Sequence, residues 1–144
     1  SQMTHHDFHL RIATALMGCQ LVEQELKLYI TEAFELVKKR LDGTLPFAMS
    51  GEDYKNSALE GLIKVFRKLS NNPALAARLE KFKEERNFLS HRGITYCLDR
   101  QGELDLQALS EIQSRLDEIS PEARELCTEI NLEANKFRGH LWFD

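Results

Sequence analysis

Three residues near the middle of the chain combine a fixed positive charge, an amide and an imidazole. Arg86 is followed directly by Asn87, and His91 lies five residues after the arginine. Arginine stays protonated and presents a planar fork that fits phosphate, whereas histidine gains and loses a proton near neutral pH. This combination suits acid–base chemistry on a phosphate group. Arg86, Asn87 and His91 are therefore the candidate catalytic residues.

The spacing alone is a weak indication of a site. Ten arginines and five histidines in 144 residues produce about one accidental match to an arginine followed by a histidine at this range of gaps. The surrounding chain adds weight, because residues 64–98 carry eight Lys/Arg and three Asp/Glu while the whole chain has a net charge of −4. A local positive field can attract phosphate even when the molecule is acidic. The alternative is that these lysines and arginines only lie on helix faces that are exposed to solvent.

Apolar residues recur every three or four positions from Phe8 to about Leu41, which predicts one long first helix. The same helix carries a second apolar line on another side, formed by Leu10, Met17, Leu21, Leu28 and Leu36. A helix that is apolar on two sides must bury both. One side can face its own core, and the other is expected to face a second subunit.

The remaining pattern predicts more helices and no second domain. A second helix follows Asn56 or Ser57, a third begins at Pro73 and stops near Gly93, and a fourth begins at Leu106. Ser120-Pro121 resembles a helix start, so a fifth helix is expected there. Residues 94–106 alternate as in a short β-hairpin. We expect a single all-α domain over residues 1–144, an up-and-down bundle of four to five helices.

Arg86 lies on the apolar stripe of the third helix. At 100° per residue, it shares one side with Leu75, Leu79, Phe82 and Leu89. A cation on a buried stripe requires an anionic partner or a functional reason, because an unpaired buried charge is costly. Both interpretations stay open: Arg86 forms an ion pair with a glutamate of another helix, or it serves a site.

Helical geometry separates Arg86 from His91. Five residues correspond to about 140° around an ideal helix, so the two side chains do not converge easily. Three arrangements would resolve this: the helix loosens at Ser90 before Gly93, the arginine curls back, or two subunits share the site. His91 could also be only a cation that caps the helix C-terminus.

The arginine, the polar residue after it and the histidine resemble the Arg-polar-x-x-x-His signature of HEPN domains. Those domains are all-helical bundles of about this length, usually homodimers, and many are metal-independent ribonucleases of toxin–antitoxin, phage-defence or RNA-processing systems. The resemblance implies that Arg86 holds the scissile phosphate, that His91 is the general acid or base, and that Asn87 orients groups. It also implies that two such sites face each other across a dimer cleft.

The resemblance also suggests partners. A cognate antitoxin or a nucleotidyltransferase-like protein is expected, although such regulated toxins often carry a tyrosine two residues after the histidine, where this chain has Gly93. Lys83, Ser90 and Arg92 are weaker candidates for contacts with RNA. Some HEPN proteins lack catalysis, so a non-catalytic dimeric module that binds a protein or nucleotide is the main alternative. A DNA-binding regulator is disfavoured by the net acidity and the lack of a clear basic recognition helix.

Other classes of site receive little support from the sequence. The three cysteines are far apart and form no C-x-x-C pair, which favours reduced thiols in the cytoplasm over disulfides or zinc. His5 and His9 have metal-like spacing but lie near the chain start without suitable carboxylates. No apolar run approaches the ~20 residues of a membrane span. We therefore expect no metal, no cofactor and no membrane insertion.

Overall fold

Helices account for nearly all of the chain that the structure describes. The computed structural model describes residues 4–93 and 106–144, with side chains described over 4–91 and 113–144. Within these ranges lie four α-helices, which are α1 (His5–Leu41), α2 (Leu59–Leu69), α3 (Pro73–Phe88) and α4 (Leu106–Phe143). A short 3-10 helix spans Gly51–Tyr54 and a π-helical turn spans Leu89–Gly93. The predicted all-α bundle with a long first helix is confirmed.

The ends of α1 and α3 are encoded locally. Thr4 accepts a hydrogen bond from the backbone N–H of Asp7 at 3.1 Å, and Asp7 accepts one from the backbone N–H of Thr4 at 3.3 Å. This reciprocal pair satisfies two N–H groups that a helix start otherwise leaves free. α1 ends where Asp42 adopts a left-handed conformation with a φ of 48°. At α3, the Asn72 side chain accepts from the N–H of Leu75, and Pro73 occupies the first turn as predicted.

α1 and α4 run parallel along most of their length. Arg11 contacts Asp117 through two hydrogen bonds of 2.8 Å, and far along both helices Glu32 contacts Arg138. Between these ion pairs the helices approach closely, since a Cβ added at Gly18 would lie 3.0 Å from that of Ala123. The first and last helices therefore form the principal packing pair of the bundle.

α3 runs antiparallel to α4. Its start contacts the far part of α4 and its end contacts the near part, through the pairs Asn72–Glu133, Arg78–Glu122 and Glu85–Arg115. α2 packs between α1 and α3, which leaves α1 and α3 diagonally opposite across the core. The centre of the bundle is filled by fully buried side chains from all four helices, among them Phe8, Leu26, Ile30, Leu62, Phe66, Leu79, Leu126 and Ile130.

Two expectations about chain breaks have different outcomes. The predicted helix start at Ser120-Pro121 is wrong, because α4 continues through Pro121 without a break. Contacts of α1 with α4 on both sides of Pro121 hold the two halves in one helix, although proline cannot donate to the carbonyl four residues before it. The predicted hairpin over 94–106 lies outside the described residues, apart from Leu106, which begins α4.

Candidate functional site

The apolar stripe of α3 is arranged as the sequence predicts. Leu75, Leu79, Phe82 and Leu89 are buried, and Arg86 lies among them half-buried. α3 packs on α4 along this side, and Arg86 as a residue is partly withdrawn from water. Partial burial strengthens the interaction of a cation with any anion that reaches it.

Arg86 has no anionic partner in the part of the chain that the structure describes. No carboxylate lies at ion-pair distance from its guanidinium there, and no hydrogen bond holds it. The interpretation of Arg86 as a structural ion pair with a glutamate stays open, because the side chains of Glu103 and Glu111 lie outside the described residues. An arginine that forms such a pair is Arg138, whose side chain is 11% exposed and bonds both oxygens of Glu32 at 2.8 Å.

The electrostatics of Cys19 locate Arg86 relative to α1. Burial raises the pKa of the Cys19 thiol to about 11, while the nearby positive charge of Arg86 acts in the opposite direction. Cys19 faces the core from α1. The charge of Arg86 on α3 is therefore felt at the core-facing side of α1. A thiol with so high a pKa is almost wholly protonated at neutral pH, so Cys19 is a poor nucleophile.

The helix changes its winding between Arg86 and His91. Residues Leu89–Gly93 form a π-helical turn directly after α3, and the backbone N–H of Leu89 still bonds the carbonyl of Arg86. Such turns are frequent at functional sites. The turn begins after Arg86, which lies within α3, so Ser90 and His91 belong to it and Arg86 does not. The loosening expected at Ser90 is present, and whether Arg86 and His91 act together stays a prediction.

The candidate residues differ in their access to solvent. Arg86 and Asn87 are half-buried, whereas Ser90 and His91 are exposed. An exposed imidazole can exchange protons with water and can reach a bound polymer at the surface. The side chain of Arg92 lies outside the described residues.

The positive charge of the central segment is partly offset by carboxylates. Glu80 contacts both Lys83 at 2.7 Å and Arg67 at 3.4 Å. Arg78 contacts Glu122 and Glu125 of α4 at 3.0 and 3.1 Å. Lys83, a weaker candidate for RNA contacts, is therefore already paired. The net positive charge around these helices is therefore smaller in the folded protein than the count of charged residues in the segment suggests.

A groove between α3 and α4 was not predicted, and none of Arg86, Asn87 and His91 lines it. Its volume is about 980 Å³, and Phe82, Ile119 and Pro121 contribute its apolar lining. At its edge Arg115 bonds Glu85 at 2.9 Å and stacks 3.7 Å from the ring centre of Phe88. Nothing in the sequence couples Arg115 to Glu85, because the two are joined only by the packing of α3 on α4.

The second apolar line of α1 is exposed, as the prediction of an additional interface requires. Leu10, Met17, Leu21 and Leu28 are 46–61% exposed, while Leu36 at the far end is half-buried. At 100° per residue, these four exposed residues lie opposite Cys19 on α1. They are therefore on the side of α1 that points away from Arg86.

Metal-binding clusters and membrane-spanning helices are both absent from the described residues. No group of three or more His, Cys, Asp or Glu side chains is placed to hold a metal ion there. No helix in the same ranges combines the length and the apolar character needed to cross a membrane. Comparison of the chain with protein families, with characterised proteins and with solved structures finds no match.

Proposed function

We propose that the protein is a metal-independent RNA endonuclease of the toxin or phage-defence type that acts as a cytoplasmic homodimer. The observation that carries the proposal is Arg86, a half-buried cation without a carboxylate partner in the described residues, followed by a π-helical turn that bears an exposed His91. The resemblance of this motif to HEPN domains supports the same activity. A cognate antitoxin or nucleotidyltransferase-like partner belongs to the proposal.

In the proposed reaction, Arg86 binds the non-bridging oxygens of the scissile phosphate. Its fork can donate two parallel hydrogen bonds and offset the charge that builds up on phosphorus. Neutral His91 takes the proton of the ribose 2′-OH as this oxygen attacks phosphorus. The bond to the 5′-oxygen breaks, and the leaving oxygen receives a proton from the imidazolium or from water. Asn87 orients the phosphate or the attacking hydroxyl.

The test is cleavage of structured and unstructured RNA in the presence of EDTA. We expect the wild-type protein to cleave at least one RNA, and the His91→Ala variant to lose about 10²-fold or more of the rate, since general acid–base catalysis contributes about 10²–10⁴-fold. His9→Ala, which removes an exposed histidine of α1, is the matched control and should retain full activity. Equal cleavage by wild type and His91→Ala, or no cleavage of any RNA, would contradict the proposal.

A second candidate function is a non-catalytic dimeric module that binds a protein or nucleotide. Two observations favour it: the exposed apolar residues of α1, and the pairing of Arg67, Arg78 and Lys83 with carboxylates. Under this function His91→Ala should leave partner binding unchanged, whereas a substitution in the exposed line of α1 should weaken it. Affinity purification with both variants distinguishes the two functions.

A further inference from the structure

One side of α1 is exposed over five turns and carries no charge. Over residues 10–28, the exposed positions are Leu10, Ala13, Thr14, Met17, Gln20, Leu21, Gln24 and Leu28. We call these eight residues the outer face of α1. In a chain that is 29% charged, an exposed helix face with no Asp, Glu, Lys or Arg is unusual. Depletion of charge with exposed large apolar side chains is characteristic of the core of a protein interface.

The four large apolar residues of the outer face are spaced symmetrically about residue 19. Leu10 and Leu28 are each nine residues from it, and Met17 and Leu21 are each two residues from it. Reversing the helix therefore superposes apolar positions on apolar positions. An interface between two identical copies related by a two-fold axis must be complementary to itself in this way. The line also follows the alternating steps of three and four residues by which paired helices interlock.

We propose that two copies of the protein associate through this face, with their α1 helices antiparallel and crossing near residue 19. Leu10 of each copy then packs against Leu28 of the other, and Met17 against Leu21. The contact line from 10 to 28 is about 27 Å long at 1.5 Å per residue. The proposal specifies the surface of the homodimer but does not depend on ribonuclease activity.

Charge favours the antiparallel arrangement over a parallel one. When the helices are antiparallel, the position level with Arg11 is residue 27 of the other copy. Glu25 of that copy lies two residues from this level, about 3 Å along the axis. Arg11, which also bonds Asp117, therefore has an opposite charge near it at the edge. In a parallel arrangement, the basic last turn of α1, Lys38 to Arg40, would lie beside the same turn of the other copy, so like charges would meet. Charges at the edge of an interface set orientation more than affinity.

The arrangement has a consequence for the candidate site. The outer face is exposed and points away from the core, whereas Arg86 is on α3, which lies across the core from α1. The two copies of Arg86 are therefore separated by both α1 helices. Each Arg86 and His91 would act within one subunit, through the π-helical turn, and not across a shared cleft.

Sedimentation analysis of the wild-type protein and two charge variants tests the interface. Leu21→Glu places two carboxylates near the two-fold axis and should weaken dimerisation more than tenfold while leaving the helical circular dichroism unchanged. Leu132→Glu introduces the same charge on α4 at a residue that is equally exposed (51%, against 56% for Leu21), and should dimerise as the wild type does. A wild type that is monomeric at micromolar concentrations, or equal effects of the two variants, would overturn the proposal.

Disulfide formation tests the orientation, in a background with Cys97→Ser. Leu10→Cys and Leu28→Cys should each stay uncrosslinked alone and should form a disulfide dimer only when mixed. Crosslinking of each variant with itself would show a parallel pair, and no crosslinking in any sample would show a different surface; either result overturns the proposal. The remaining native thiols, Cys19 and Cys127, are buried or half-buried with pKa values raised to about 11, and the background protein without new cysteines is the control.

Discussion

Two arginines of this protein occupy opposite electrostatic situations. Arg138 is held by both oxygens of buried Glu32 and by Asn131 and Asn135. Arg86 lies half-buried among leucines without a carboxylate partner in the described residues. An arginine on this stripe that lacked any carboxylate partner would be unfavourable, and natural proteins retain such groups mainly where function requires them. The stability of variants should therefore separate a structural arginine from one kept for a site.

The first prediction compares methionine substitutions of these arginines. Arg138→Met should lower the free energy of unfolding by about 3–5 kcal/mol, because it leaves the Glu32 carboxylate buried without a partner. Arg86→Met should leave it unchanged or raise it by about 1 kcal/mol, because an apolar side chain suits the buried stripe. Urea unfolding followed by circular dichroism measures both. A large loss of stability in Arg86→Met would identify Arg86 as structural.

A second prediction concerns pH and Glu133. Burial by itself raises the pKa of this carboxyl, but hydrogen bonds from Lys136 and Asn72 outweigh it, so its pKa in the folded protein is below the ordinary value. A lowered pKa contributes stability above the pKa of the unfolded chain, and this contribution is lost as the pH falls through the folded pKa. Glu133→Gln should therefore be destabilised by about 1–2 kcal/mol near neutral pH, and the difference should shrink in acid. A difference independent of pH would contradict this.

For single residues, the sequence predicted which side of a helix a side chain lies on better than it predicted which side chain it bonds. The 3.6-residue period places Arg86 on the buried side of α3, and the structure confirms this. The same period could not reveal that Glu32 belongs to Arg138, since 106 residues separate them. That pairing depends on the parallel packing of α1 on α4, which no local pattern encodes. The assignment of catalysis to Arg86, Asn87 and His91 stays a prediction.

Among the elements, α4 shows tertiary packing overriding a local signal. Ser120-Pro121 has the chemistry of a helix start, yet the helix passes through it. Ser120 donates a hydrogen bond to the carbonyl of Thr14, and Gly18 admits Ala123 at close range. α1 thus supports α4 at the point where proline removes a backbone hydrogen bond. By contrast, the start of α3 at Asn72-Pro73 needs no such help and was predicted from sequence.

The third prediction follows from the backbone hydrogen bond that Pro121 removes from α4. Pro121→Ala restores a backbone N–H that can donate to the carbonyl of Asp117, and alanine suits a helix interior better than proline. We expect the free energy of unfolding to rise by about 1–3 kcal/mol, measured by thermal and urea unfolding. Arg124→Ala, an exposed change one turn away, should alter it by less than about 0.5 kcal/mol. Destabilisation by Pro121→Ala would show that proline is required by a local conformation.

For the whole molecule, the proposed binding of RNA would be limited by the few cations of α2 and α3 that lack an ion pair within the described part of the chain. Within α2 and α3 several cations are paired with carboxylates, and those without an ion pair in the described residues are Lys64, Lys68, Lys81 and Arg86. Affinity for a nucleic acid falls with salt in proportion to the number of phosphates that cations neutralise. Recognition of RNA would therefore depend on few charges and on the candidate site itself.

The fourth prediction is a shallow salt dependence. With four available cations and a slope of about −0.7 per phosphate contact on single strands, a plot of log affinity against log salt should be no steeper than about −3. Fluorescence anisotropy with a labelled single-stranded RNA and His91→Ala protein, which should bind without cleaving, gives this slope. A slope much steeper than −3 would mean that cations outside α2 and α3 contact the RNA.

The parallel packing of α1 on α4 also governs the order in which the chain can complete its core. Arg11 is synthesised 106 residues before Asp117, its partner on α4. At about 5–20 residues per second, α1 waits about 5–20 s on the ribosome for that partner. During this interval α1 presents both apolar sides to the surroundings, and the contacts that bury it are among the most distant in the chain. The nascent protein therefore passes through a period of seconds in which its long first helix, apolar on two sides, is accessible to chaperones and prone to aggregation.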